Sequence, residues 1–178
     1  MTAYFDDFLS GGDLRSIARV DELVGMIKNQ EEFDQLFSIL YQNDRLRAMR
    51  AADAVEKITS QSPEYLAKHK PGLLRLCQNE VPKELKWHIA LLLARLPYKD
   101  DELGEVWEVL TRWATNKQES RIVRVNALQT LFDLIPLHPE LEKDFLTTIA
   151  QVERENVPSI NARIRKFKKS RHYPKTTK

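Results

Sequence analysis

Residues 50–96 read RAADAVEKITSQSPEYLAKHKPGLLRLCQNEVPKELKWHIALLLARL, and the pattern of their first half returns 38 residues further along the chain. Small and aliphatic positions recur at this step in three successive copies. They are Val55, Ile58, Leu93, Leu96, Leu131 and Leu134, together with Ala51, Ala52, Ile89, Ala90, Ala127 and Leu128. A fixed period of this length is typical of stacked repeats, in which no single unit buries its apolar face alone.

Each copy of the repeat reads as two helices joined by a turn. Between Arg45 and Thr59 the apolar residues fall on one helical stripe. The motif at residues 62–64, Ser-Pro-Glu, is a helix start, and Pro71 then predicts a break, because proline lacks a backbone donor and clashes with the preceding turn. Asn29 is expected to cap a helix whose buried side carries Phe33, Leu36, Phe37 and Leu40. No stretch shows the alternation that predicts a strand.

The pattern therefore predicts an all-α fold, a right-handed α-α superhelix (solenoid) of about four helix pairs with an extra amino-terminal helix from about Asp13. We expect residues 1–12 to be a flexible lead-in, residues 13–169 to form a single repeat domain, and residues 170–178 to be a basic flexible tail. Trp107 and Trp113 are predicted to lie in the core, whereas Trp87 is predicted at the flank of its helix.

Composition places the chain among globular proteins, since 42% of its 178 residues are hydrophobic and 30% are charged. The longest apolar run, residues 89–94, is much shorter than the roughly 20 residues of a membrane span. The first residues lack the basic and apolar regions of a signal peptide. Cys77 is the only cysteine, which excludes an internal disulfide. We expect a cytoplasmic protein without a transmembrane segment.

The formal net charge of +2 conceals a strong asymmetry along the chain. Residues 163–178 contain eight basic residues and no acidic one, so the remaining residues have 20 basic against 26 acidic side chains. Such segregation fits an electrostatic partner for the carboxyl-terminal segment, or a segment that only improves solubility.

The paired helices resemble those of the HEAT-repeat family over about residues 30–168. The resemblance rests on the 38-residue step, on the proline within a first helix at Pro71, and on the pattern of the second helices. These read Leu85-Lys86…Ala90…Leu93…Leu96 and Val123-Arg124…Ala127…Leu131…Leu134, whereas the first repeat has Ala48 at the position of Lys86 and Arg124. The resemblance implies a binding scaffold with first helices on its convex side and second helices on its concave side, where partners commonly bind.

Signatures of catalysis are missing from the sequence. The five glycines are too widely spaced for a dinucleotide fingerprint or a phosphate loop, and neither Gly-x-Ser-x-Gly nor His-Glu-x-x-His occurs. Glu84 and His88 come closest to half of a metal site, but a surface histidine and a packed Cys77 are the simpler interpretations. We predict a non-enzymatic protein with no catalytic residue, no metal site and no cofactor. An enzyme with a site assembled across repeats has no support beyond isolated histidines and acids.

A second set of positions, opposite the apolar stripe, also recurs at the 38-residue step. It consists of Arg50, Asp53, Lys57, His88, Leu91, Arg95, Asn126, Gln129 and Asp133. These side chains form either a solvated face with intrahelical pairs such as Asp53 with Lys57, or a recognition groove for a protein segment. The leading hypothesis is an adaptor that binds an unidentified protein partner through this surface, since Asp53 and Asp133 would repel phosphates.

The alternative hypothesis is a nucleic-acid-binding protein. Its candidate residues are Trp87, Arg163, Arg165, Lys166, Lys168, Lys169 and Arg171, with Phe167 and Tyr173 expected to be available for stacking on bases. Neutralising about four phosphates would make binding roughly 100-fold weaker between about 50 and 200 mM salt. The basic segment alone therefore predicts weak, nonspecific attachment.

Overall fold

The computed structural model describes residues 5–11, 19–79 and 81–174, which contain ten α-helices and no strand. The helices are α1 (Asp6–Leu9), α2 (Val20–Met26), α3 (Gln30–Ser38), α4 (Arg45–Thr59), α5 (Lys70–Gln78), α6 (Lys83–Leu93), α7 (Asp100–Thr115), α8 (Arg121–Leu134), α9 (Glu142–Glu153) and α10 (Pro158–Lys168). Short 3-10 helices occur at Ile39–Tyr41, Pro63–His69 and Pro139–Leu141. The predicted all-α fold is confirmed, whereas the helix start expected at Asp13 lies outside the described residues. Among the described residues, no helix has both the length and the hydropathy needed to cross a membrane.

The chain divides into two compact units, Met1–Leu96 and Pro97–Lys178. In the first unit α3 contacts α4 and α5 contacts α6, while α4 also packs against α1, α2 and α6. In the second unit α7 contacts α8, α9 contacts α10, and successive pairs meet through α7 with α9 and α8 with α10. The four predicted helix pairs are therefore present. The assignment of residues 13–169 to one domain stays a prediction.

Local sequence signals set the helix boundaries. The Asn29 side chain accepts a hydrogen bond of 2.9 Å from the backbone N–H of Glu32, which confirms the predicted cap of α3. Asp44 caps α4 in the same way. The 3-10 helix ends at His69 and α5 begins at Lys70, with Pro71 in its first turn. The kink or break predicted at Pro71 is therefore present just before this proline.

Helix α4 is the centre of the first unit. Its predicted buried stripe is confirmed at Ala48, Ala51, Ala52, Val55 and Ile58. Four further residues of the helix, Met49, Arg50, Ala54 and Thr59, are also buried. The reason is that α1, α2 and α3 pack around α4 in addition to α6. A single apolar stripe predicts burial on one side of a helix only, so the sequence pattern underestimated the number of buried residues in α4.

Residues 5–11 pack against the rest of the first unit in the structure, a contact that the sequence analysis did not predict; a flexible lead-in stays a prediction. Phe5 and Leu9, one helical turn apart, are only 2% and 0% exposed. Asp6 forms an ion pair with Arg47, and Arg50 Nη1 donates a hydrogen bond of 2.6 Å to the carbonyl oxygen of Leu9. Two apolar residues are too few to produce a periodic signal, which explains why this contact was not predicted from the sequence. Residues 1–4 and 12 lie outside the described residues.

Aromatic side chains close the core of the second unit. Trp107 and Trp113 are buried as predicted. The Phe167 ring stacks on Phe132 with centroids 4.5 Å apart and is buried, so its predicted availability to bases is wrong. Tyr173 lies edge-on to Phe145, with centroids 6.3 Å apart. Tyr173 is therefore in contact with the core of this unit, whereas residues 175–178 lie outside the described chain. A flexible tail over residues 170–178 stays a prediction.

Asp34, on α3, contacts the end of the 3-10 helix Pro63–His69, just before α5. Its carboxylate accepts a hydrogen bond of 2.8 Å from Gln30, lies 2.6 Å from His69 Nε2 and forms an ion pair with Lys68. Burial acts to raise the pKa of Asp34, but hydrogen bonds from Lys68, Gln30 and His69 outweigh it and lower the pKa from 3.8 to about 2.

This shift predicts an acid-sensitive contribution to stability. Since the folded pKa of Asp34 lies below the unfolded value, the contribution is complete above about pH 4 and is lost as the pH falls towards 2. Asp34→Asn should lower the free energy of unfolding by about 2 kcal/mol at pH 6 and by almost nothing near pH 2. Urea denaturation across this range measures the difference, with the exposed Asp101→Asn as control. If the free-energy difference between Asp34→Asn and the wild type does not change with pH, the lowered pKa of Asp34 is contradicted.

Candidate functional site

The six candidate residues in the first unit do not share one open face. Arg50 is 0% exposed and His88 is buried, whereas Asp53, Lys57, Leu91 and Arg95 are half-buried. The prediction that Arg50 and His88 lie on the solvent side of their helices is wrong. Adjacent helices cover these sides: residues of α1 reach Arg50 on α4, and Glu56 of α4 reaches His88 on α6.

Two of these candidates connect successive helix pairs. His88 Nδ1 lies 2.7 Å from Glu56 Oε2. Arg95 Nη1 donates hydrogen bonds of 2.6 Å to the carbonyl oxygen of Glu56 and to Thr59 Oγ1. Sequence reasoning missed Glu56 and Thr59, although each lies 32 to 39 residues before its partner, close to the length of one repeat.

Glu84 and His88 do not act together as the half-site considered from the sequence. Glu84 Oε2 accepts hydrogen bonds of 3.0 and 2.6 Å from Arg45 of α4, while His88 is engaged by Glu56. Burial acts to raise the pKa of Glu84, but the hydrogen bond from Arg45 contributes to holding it below its ordinary value. Glu84 therefore stays charged as part of a contact between α4 and α6.

Lys57 has a similar position between α2 and α4. Its ammonium lies 2.7 Å from Asp21 Oδ1 and 3.0 Å from Asp53 Oδ2, so the predicted intrahelical pair is present. Burial acts to lower the pKa of Lys57, and the hydrogen bonds with Asp21 and Asp53 more than offset it, so the pKa is raised. Lys57 nevertheless retains access to solvent at 35% of its side chain.

Asp53, Glu56 and His88 bring three potential metal ligands within 4.8 Å of one another. Carboxylate and imidazole groups suit several divalent metals. Lys57 already balances Asp53, and Arg95 lies 3.9 Å from Glu56 Oε1. These cations would compete with a metal, so we assign the cluster to the packing of α4 against α6.

The three candidates of the second unit lie on α8. Asn126 and Gln129 are half-buried and Asp133 is exposed. Gln129 Nε2 donates a hydrogen bond of 2.7 Å to Asp133, and Gln129 Oε1 accepts one of 2.6 Å from Arg163 of α10. The structure thus joins a residue of the protein-binding set to one of the nucleic-acid set.

A buried ion pair that sequence reasoning missed connects α8 to the turn between α9 and α10. Arg124, on α8, donates hydrogen bonds of 2.8 Å to the Ala114 carbonyl oxygen and to Glu155 Oε2. Only 4% of the Arg124 side chain and 10% of the Glu155 side chain are exposed. The resemblance had marked Arg124 as equivalent to Lys86, which is buried too. The only sequence signal for Glu155 was its position 31 residues after Arg124, which is close to the length of one repeat.

The candidates for nucleic-acid binding divide into engaged and exposed side chains. Lys168 forms an ion pair of 2.6 Å with Glu153, and Trp87 is half-buried beside the His88 ring. Four other cations, Arg165, Lys166, Lys169 and Arg171, are exposed. The first six residues of the basic segment are therefore helical, because α10 extends to Lys168.

Two cavities border the turns between first and second helices. In the first unit a mainly apolar cavity of 290 Å³ is lined by Leu40, Tyr41, Gln42, Asn43, Arg45, Ala48, Leu76, Val81, Pro82 and Leu85. In the second unit a more polar one of 470 Å³ is lined by Lys117, Glu119, Ser120, Arg121, Arg124, Glu155 and Val157. Both lie at the small end of the roughly 300–1,000 Å³ typical of ligand pockets.

Comparison with known proteins identified a family for this chain but no individual relative. Neither the curated proteins nor the solved structures gave a match. Comparison with protein families matched residues 12–171, nearly the whole chain, to the HEAT repeat domain. The match agrees with the helix pairs described above and with the resemblance noted in the second helices. This chain therefore belongs to the HEAT-repeat family.

Proposed function

We propose that this protein is a non-enzymatic scaffold that binds a protein partner through the accessible parts of its second helices α4, α6 and α8. The observation that carries the proposal is the match of residues 12–171 to the HEAT repeat domain. Stacked helical repeats generally provide extended binding surfaces rather than catalytic centres. The proposal keeps the cytoplasmic location predicted from the sequence.

Burial divides the nine candidate side chains into two roles. Arg50 and His88 are buried, and together with Arg95 they contact neighbouring helices within the first unit. Leu91 in the first unit and Asp133 in the second keep solvent access, so we assign both to partner contact. Asp53 and Lys57 in the first unit, and Asn126 and Gln129 in the second, are further candidates. An accessible leucine among polar side chains fits a protein surface better than a phosphate backbone.

The test compares two surface substitutions with matched controls in the full chain. Leu91→Ser and Asp133→Lys together should lower recovery of the partner at least tenfold in affinity capture, because they remove an apolar contact and reverse a charge. Leu137→Ser, at a leucine that is 67% exposed, and Glu108→Lys, on the exposed side of α7, make the same chemical changes elsewhere. Equal recovery with both double variants, at unchanged melting temperature, would exclude the second-helix surface.

The nucleic-acid alternative remains a prediction with a narrower basis. Burial of Phe167 removes one expected stacking platform, and Arg163 is engaged by Gln129. What supports the alternative is the exposed group of Arg165, Lys166 and Lys169 near the end of α10. These charges would give sequence-independent, salt-sensitive binding.

A further inference from the structure

The contact between α1 and α4 defines a surface of which the sequence analysis named only Arg50. We propose that the α4 face beneath α1, centred on Arg47 and Arg50, is a docking surface for an acidic amphipathic helix of a partner protein. In this structure α1 occupies that surface in cis. The inference rests on the proposed scaffold function and specifies the chemistry of the partner.

The chain itself shows which chemistry fits this face. Phe5 and Leu9 are both buried, and they are spaced at i and i+4 on one side of α1. Asp6, next to Phe5, forms an ion pair with Arg47, and the Leu9 carbonyl accepts the hydrogen bond of Arg50. An occupant therefore needs two large apolar residues one turn apart and an acid beside the first.

Helix α1 depends on this contact for its structure. It spans only four residues, and isolated helices shorter than about 12–15 residues are marginal in water. Arg19, just before α2, holds the outer side of α1 through its backbone N–H to the Phe8 carbonyl oxygen, at 3.3 Å, and its guanidinium above the Phe8 ring. Beyond α1, Gly11 has a φ of 79°, a conformation that favours glycine, where the chain turns away. A helix of only four residues is short enough to be exchanged for a competing helix.

Arg50 fits a face that is covered at some times and open at others. A permanently buried position gains more from an apolar side chain, because a guanidinium must be desolvated. An arginine pays no such penalty when the cover leaves, since water then hydrates it. Arginine is also enriched in protein interfaces and at their binding hot spots. Arg47 thus selects an acidic occupant through its ion pair, and Arg50 binds a backbone carbonyl oxygen of that occupant.

The probe is a fluorescein-labelled synthetic peptide of residues 1–11, measured by anisotropy against full-length proteins. In Phe5→Ser/Leu9→Ser the cis segment loses both anchors, so the peptide should bind at least tenfold more tightly than to the wild type. Asp7→Ser is the matched control, because Asp7 is exposed on the same helix and α1 should stay docked. Adding Arg47→Glu to the Phe5→Ser/Leu9→Ser protein should reverse this gain, so that peptide affinity falls at least tenfold.

Circular dichroism of the same proteins decides between an exchangeable segment and a permanent part of the core. We expect Phe5→Ser/Leu9→Ser to keep its helical spectrum and a cooperative thermal transition. Loss of cooperative unfolding, or equal peptide affinity for the variant and the wild type, would overturn the proposal. If the wild type instead forms dimers that the peptide dissociates, the occupant is a second copy of the chain and the assignment to another protein is wrong.

Partner capture separates this inference from the proposed function. If Leu91→Ser/Asp133→Lys lowers capture but Phe5→Ser/Leu9→Ser does not raise it, the scaffold proposal stands and the α4 docking surface is refuted. If the variant binds the peptide as expected and yet no protein is captured by any form of the chain, the scaffold proposal fails while the surface itself is supported.

Discussion

Replacing Leu93 with alanine is expected to lower the free energy of unfolding by about 2–5 kcal/mol. Leu93 lies at the end of α6, is fully buried, and is the second-repeat counterpart of Val55, which is buried in α4. The loss combines the transfer free energy of the removed carbon atoms with the cost of the cavity that remains. Urea denaturation followed by circular dichroism measures it.

Leu137 provides the matched control for this substitution. It is 67% exposed in the turn after α8, so Leu137→Ala should change the free energy of unfolding by no more than about 0.5 kcal/mol. A loss below about 1 kcal/mol for Leu93→Ala would mean that the 38-residue repeat does not place its aliphatic residues in the core.

Replacing Arg124 with alanine is expected to lower the free energy of unfolding by about 3–5 kcal/mol. The change leaves the Glu155 carboxylate, which is 10% exposed, without its cation, and removes the donor to the Ala114 carbonyl oxygen. Glu155 Oε1 already lacks a hydrogen-bond partner among the described residues, so no second hydrogen bond there compensates for the loss of Arg124. Arg112→Ala, at an exposed arginine of α7, should have little effect.

The double variant Arg124→Met/Glu155→Met tests the physical origin of that loss. Replacing both partners of a buried ion pair by apolar residues is often neutral or stabilising. We therefore expect the double variant to regain most of the stability that Arg124→Ala loses. If it is as unstable as Arg124→Ala, packing of the long side chain rather than the stranded charge causes the loss.

Features governed by neighbouring residues were predictable from the sequence. Helix α4 begins and ends at Arg45 and Thr59 as predicted, because its apolar stripe and its turn signals are local. The cap at Asn29 and the break at Pro71 depend on one side chain each. The fold class followed from repetition of these local signals at a constant step.

The polar contacts between helix pairs were not predictable. Periodicity placed Arg50 opposite the stripe defined by Ala51 and Val55, but the covering residue, Leu9, is 41 positions away. Helical phase gives the direction of a side chain and contains no information about what lies there. The same applies to Glu56 and Glu155, whose partners belong to another helix pair. The solvent access of the candidate residues was therefore only partly predictable from the sequence.

The scaffold function is tested most directly by affinity capture of the tagged full-length protein from its native lysate, with and without nuclease, followed by mass spectrometry. We predict a defined protein partner whose co-purification survives nuclease treatment and is lost with Leu91→Ser/Asp133→Lys. Recovery of nucleic acid, with every co-purifying protein lost after nuclease, would contradict it and would favour the exposed basic residues of α10 as the functional element.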